Sequence, residues 1–138
     1  MSNIPDHSID LVFADPPYNA KNIGPNQRVY SLGQMQLPAE EYAAWTRKWF
    51  EQALRIGRTV VVTPGIANVA LYPQANWIIA WHKPQAVSFN RYGGFNVWEP
   101  ILLYGKTAKG KQLNRDVLEI GIVNGFGRKT LESSHPCP

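Results

Sequence analysis

The sequence predicts an α/β fold built on a mainly parallel sheet, and three observations predict it. Short apolar or β-branched runs recur at 9–14, 59–63, 77–81 and 100–105, each of strand length and bounded by proline or glycine on at least one side. An apolar stripe at helical spacing lies between the first two runs. The resulting order, strand, helix, strand, short helix, strand, strand, is that of strands joined mainly by crossovers rather than hairpins.

The first run, Ile9-Asp10-Leu11-Val12-Phe13-Ala14, reads as a buried strand that stops at Asp15-Pro16-Pro17-Tyr18, because successive prolines cannot donate to a sheet ladder. Residues 19–36 turn to Asn, Gly, Pro, Gln and Lys and predict a surface loop of the length that usually serves function. Pro38 suits a first helical turn, with Glu40 and Glu41 at the positive end of the helix dipole. Tyr42, Trp45, Trp49, Ala53 and Ile56 then form the stripe expected to face the core, so that Trp45 and Trp49 pack rather than touch a ligand. Gly57 is the expected stop. Residues 59–63 form a second buried strand closed by Pro64-Gly65, 66–71 a short helix, 77–81 a third strand closed by Lys83-Pro84, and 100–105 a fourth. Residues 117–120 predict one more short strand inside 106–130, a small variable loop region.

At 138 residues, 44% of them apolar and 17% charged, with 5 Trp, 6 Tyr and 5 Phe, the chain is expected to fold as a single domain over 1–138. No apolar run reaches the roughly 20 residues that cross a bilayer, and the first residues lack the segments of a signal peptide. A soluble, cytoplasmic protein with no membrane partner is the expectation. The lone Cys137 permits no internal disulfide, and three dispersed histidines show no metal-ligand spacing, so no metal is expected. A net charge of +4 favours approach to a polyanion. Lys106, Lys109, Lys111, Arg115, Arg128 and Lys129 either meet phosphates or form a solvated basic loop.

Asp15-Pro16-Pro17-Tyr18 carries the chemistry. A proline pair fixes the backbone so that its carbonyls are offered as acceptors, the acid adds another acceptor, and the phenol ring supplies a flat face. Together they suit a planar base bearing an exocyclic amino group.

The chain resembles the amino-methyltransferases of DNA, which carry an Asp/Asn/Ser-Pro-Pro-Tyr/Phe motif at the end of the fourth strand of a Rossmann-like sheet. Val60-Val61-Val62-Thr63-Pro64-Gly65, Trp81-His82-Lys83-Pro84, Gly93-Gly94-Phe95-Asn96-Val97-Trp98-Glu99-Pro100 and Leu103-Tyr104-Gly105-Lys106 look like segments of bacterial and phage members, in the same order. The resemblance implies transfer of a methyl group from S-adenosylmethionine to the amino group of a base flipped out of double-stranded DNA. Asp15, Pro16, Pro17 and Tyr18 would be the catalytic residues: Asp15 and the Pro16 carbonyl would accept from the amino group, and Tyr18 would stack on the base. The displacement would be direct and in line, with rate coming from positioning and electrostatics. Asp at the first position favours adenine, with cytosine as the alternative. Asn19, Lys21, Asn22, Arg28, Lys83 and Arg91 are candidate DNA contacts. Trp98 and Glu99 either anchor the core or face the flipped base. His82 is expected to be structural or DNA-facing rather than catalytic.

The family also needs a Phe-x-Gly-x-Gly turn beside the cofactor. None precedes Asp15, and Gly125-Phe126-Gly127 reads as a loop. His135-Pro136-Cys137-Pro138 resembles the start of the segment that introduces the cofactor strand in members with the catalytic motif first. Asp15, His135 and Pro136 are therefore the expected cofactor contacts. The expectation is a partial Rossmann-like methyltransferase fold, catalytic half only, of permuted order and cut short at its C-terminus. A restriction-modification or phage setting, and a dimer or a complementing chain, go with it. The competing expectation is a catalytically silent remnant or nucleic-acid-binding module.

Overall fold

The strands β1 (Ile9–Ala14) and β4 (Gly57–Val62) lie side by side in parallel, because the intervening helix α1 (Ala39–Ile56) returns the chain to the end from which it started. The computed structural model describes residues 3–19, 34–35, 37–84, 88–89, 92–106 and 115–119. Between β1 and α1 the two-residue strands β2 (Tyr18–Asn19) and β3 (Gln34–Met35) pair in parallel. After β4 come a 3-10 helix at Ile66–Leu71, β5 (Trp77–His82), the antiparallel pair β6 (Ser88–Phe89) and β7 (Phe95–Asn96), β8 (Trp98–Gly105) and β9 (Val117–Glu119).

The main sheet runs β1-β4-β8-β5-β9. The β1/β4 and β5/β9 pairs are parallel, whereas β8 is antiparallel to both β4 and β5. Four of its five strands thus point one way and β8 runs against them, giving a mixed α/β, mostly parallel sheet. Pro100 sits inside β8, but β4 ends opposite Leu102, so the missing N–H breaks no bond to β4.

One face of the sheet packs under α1. The pairs Val12↔Val60, Val60↔Tyr104 and Val62↔Leu102 turn their side chains to the same side, where Phe50, Ala53 and Tyr72 close the core. On α1 the buried residues are Tyr42, Thr46, Phe50, Ala53 and Ile56, which corrects the stripe expected from the sequence. At about 100° per residue the observed set covers an arc of about 120°, centred about 40° round the helix from the narrower stripe drawn through the two tryptophans. Trp45 and Trp49 flank it half-buried: Trp45 stacks on Tyr42 at 5.7 Å and Trp49 meets Phe50 and Tyr72 edge-on at 5.7 and 6.2 Å.

A second correction concerns β1, which is an edge strand rather than a buried one. Leu11 and Phe13, level with Thr59 and Val61 on the face away from α1, are 56% and 63% exposed. Its start is tied to the α1–β4 corner, where Arg55 bonds the Ile4 carbonyl and Asp6, and Arg58 bonds the His7 carbonyl and Asp10.

Candidate active site

Parallel strands in register end together. Ala14 pairs with Val62, and the Thr63 N–H donates to the Ala14 carbonyl at 3.0 Å as the last backbone bond between the two strands. Beyond it prolines stop both chains, Pro16 and Pro17 on one side and Pro64 on the other. Because β8 is reversed, its first residues reach the same edge: Trp81 pairs with Glu99 and His82 with Trp98. Asp15-Pro16-Pro17-Tyr18, Thr63-Pro64-Gly65, Trp81-His82-Lys83 and Trp98-Glu99 therefore share the edge at the carboxyl ends of β1, β4 and β5. Open α/β sheets bind their ligands outside this edge.

Asp15 is exposed, and among the described residues both hydrogen bonds to its carboxylate fall on one oxygen. Oδ1 accepts from the Thr63 hydroxyl at 2.7 Å and from the Tyr18 hydroxyl at 3.0 Å. Tyr18 also lies 3.3 Å from the Thr63 carbonyl, the longer of its two contacts. Burial, then the charge of Asp15 and the hydrogen bond to it, and then the charge of Glu99, push the Tyr18 phenol well above its ordinary pKa. It therefore stays protonated and donating at neutral pH. Gly65, with φ of +71°, brings its backbone against the Tyr18 ring, so that a Cβ there would lie 3.3 Å from Cε1. From below, the buried Tyr42 hydroxyl donates to the Pro17 carbonyl at 3.0 Å.

Around this tip the other expected residues take definite places. The Lys83 ammonium is 2.8 Å from a Glu99 carboxylate oxygen, and 3.7 Å above the Trp81 ring. Its side chain is only 13% exposed, so the charge expected to meet DNA is engaged within the protein. Trp98 is exposed, and Glu99 is close enough for its charge to act on Tyr18. His82 Nδ1 lies 3.9 Å from a Glu119 oxygen. The Asn19 amide is held at both ends by Leu37, donating to its carbonyl at 2.8 Å and accepting from its N–H at 2.9 Å. Lys21, Asn22, Arg28, Arg91, His135 and Pro136, like Gly125-Phe126-Gly127 and Cys137, lie outside the described residues. No group of three His, Cys, Asp or Glu side chains suited to a metal occurs among the described residues, and no helix among them is long and apolar enough to cross a membrane.

Sequence reasoning missed Thr63, Tyr42 and Gly65 as parts of this tip. A signal was present: Thr63-Pro64-Gly65 closes the second β-branched run as Asp15-Pro16-Pro17 closes the first, and parallel neighbours bring such endings together.

No protein-family model matches the chain. A stretch of 54 residues is 39% identical to the Type II methyltransferase M.MjaVI of Methanocaldococcus jannaschii, covering 39% of this chain and 25% of that protein. The match thus spans about a quarter of the relative's length. This similarity supports kinship with the methyltransferases.

Proposed function

We propose that this chain carries the catalytic half of a DNA methyltransferase, acting on the exocyclic amino group of an adenine flipped out of double-stranded DNA, with S-adenosylmethionine as donor. The observation that carries the reading is the exposed Asp15 carboxylate, held at a proline-stiffened strand end by two donors to the same oxygen. The methyltransferase similarity supports the reaction class. The permuted order, the Rossmann-like completion of the sheet and a dimer or complementing chain belong to the same reading.

The roles follow from the donors and acceptors in place. Asp15 accepts an N–H of the base amino group, which raises electron density on its nitrogen; a charge-assisted bond of this kind is strong where water is excluded. The Pro16 carbonyl, stiff by virtue of the following proline, is the second acceptor. Tyr18, its hydroxyl tied to Asp15, offers its ring for stacking on the base. S-adenosylmethionine, when bound, supplies an electrophilic methyl group on a sulfonium cation. The donor set fits such a cation: Lys83 neutralises Glu99, while Asp15 keeps a carboxylate with no ion-pair partner among the described residues. Asp15, His135 and Pro136 are the residues proposed to hold it.

The test is label transfer. The purified chain is mixed with S-adenosylmethionine labelled in its methyl group and an unmethylated duplex, and the recovered DNA is digested to nucleosides. Label in N6-methyldeoxyadenosine that disappears with Asp15→Ala is the expected result. Label in deoxycytidine would reassign the base. DNA retained without label, even at high donor concentration, would leave a silent nucleic-acid-binding module in place of an enzyme.

A further inference from the structure

We infer that Thr63 is a positioning residue that aims Asp15, occupying one carboxylate oxygen so that the other, Oδ2, faces the substrate amino group. The inference rests on the methyl-transfer reading above and adds to it a residue outside the Asp-Pro-Pro-Tyr motif. Thr63 is 5% exposed and its backbone is fixed by the bond to Ala14. Its hydroxyl oxygen is 2.7 Å from Asp15 Oδ1 and 3.5 Å from the Ala14 carbonyl. A hydroxyl has one proton, and the shorter, charged contact takes it.

The Tyr18 hydroxyl adds the second bond to the same oxygen. A carboxylate oxygen has two in-plane lone pairs, so Oδ1 is filled by the protein. Among the described residues no donor reaches Oδ2, which leaves it as the acceptor for an incoming amino group. Of the two supports Thr63 is the more firmly seated: it is buried one residue past the end of β4 with its own N–H in the last bond to β1, whereas Tyr18 is only half-buried. A free aspartate samples several χ1 rotamers, and a carboxylate bound at one oxygen to a fixed hydroxyl does not.

The experiment uses the full chain as Thr63→Val, which keeps the shape and removes the O–H, and as Thr63→Ser, which keeps the O–H. Thr63→Ala serves as a second deletion of the same donor should the valine variant not fold. Two readouts are taken: Hα–Hβ scalar couplings of Asp15 by NMR, and kcat and KM for methyl transfer to duplex DNA. Loss of the hydroxyl should average the Asp15 couplings and lower kcat by about tenfold to a hundredfold, the range for a hydrogen bond to a charged group. KM for DNA should stay within about twofold, since the duplex contacts are not altered. Thr63→Ser should restore both. Unaveraged couplings in the valine or alanine variant, an unchanged kcat, or failure of serine to rescue would each overturn the role. If the unaltered chain transfers no methyl group, the proposed function fails, and the couplings alone still decide whether Thr63 aims Asp15.

Discussion

The Tyr42 hydroxyl donates to the Pro17 carbonyl at 3.0 Å, so the first turns of α1 hold the backbone of the motif from beneath. Tyr42 is 2% exposed. Tyr42→Phe removes this donor without changing the packed ring and leaves a carbonyl of the motif without its partner. A loss of about 1 kcal/mol in urea unfolding is expected, together with a larger fractional loss of methyl transfer. Equal activity per folded molecule would show that the bond supports the fold alone.

Gly65 meets Tyr18 from the side. Its φ of +71° disfavours any residue with a side chain, and the added carbon would press on the ring at 3.3 Å. Gly65→Ala should cost about 1–3 kcal/mol and move the Tyr18 ring by a few tenths of an ångström. Thermal unfolding measures the first effect and a crystal structure of the variant the second. An unshifted melting temperature would contradict the strain.

Alkaline conditions should unfold the protein earlier than neutral ones. Burial raises the phenols of Tyr18, Tyr72 and Tyr104 above the ordinary 10.0, Tyr104 up to about 12. A raised pKa in the folded chain means that the protonated form is favoured there, so this part of the stability is complete below pH 10 and is lost as pH climbs toward 12. Urea midpoints measured from pH 8 upward should fall beyond pH 10, and less steeply in Tyr104→Phe. A flat profile would argue against buried phenols.

How much of this was legible in the residues differs from element to element. Strand positions followed from β-branched runs and their proline stops, and α1 from periodicity with Pro38 ahead of it, since both signals are local. The direction of β8 was not legible: Ile101-Leu102-Leu103 suits a buried strand of either sense, and only the partners Val62 and Ile78 decide. The core face of α1 was read about 40° off its place: Tyr42, Ala53 and Ile56 are buried and Trp49 packs against the core as expected, but the pattern passed over Thr46 and Phe50, which lie deeper than the tryptophans. At the strand tip, Asp15 and Tyr18 stand together in one short motif, so their proximity was readable from the sequence. The place of Thr63 was not, because its role depends on a neighbour 48 residues away.

The exposed face of β1 offers a direct test of edge behaviour. Phe13 stands 63% exposed beside Leu11, and an exposed apolar face on a strand that ends the described sheet invites association. Phe13→Lys should leave folding stability within about 0.5 kcal/mol while lowering the concentration-dependent light scattering of the purified chain. Unaltered scattering would place the sticky surface elsewhere.

The paired hydrogen bonds between the Asn19 amide and the Leu37 backbone work as a clasp between the end of β2 and the start of α1. Tyr18 pairs with Gln34 and Asn19 with Met35 directly beside it, so the clasp fastens the same short ladder that carries the Tyr18 ring. Cutting the clasp with Asn19→Ala should therefore be felt at Asp15 through its neighbour Tyr18, whose hydroxyl holds the carboxylate, before it is felt in the main sheet.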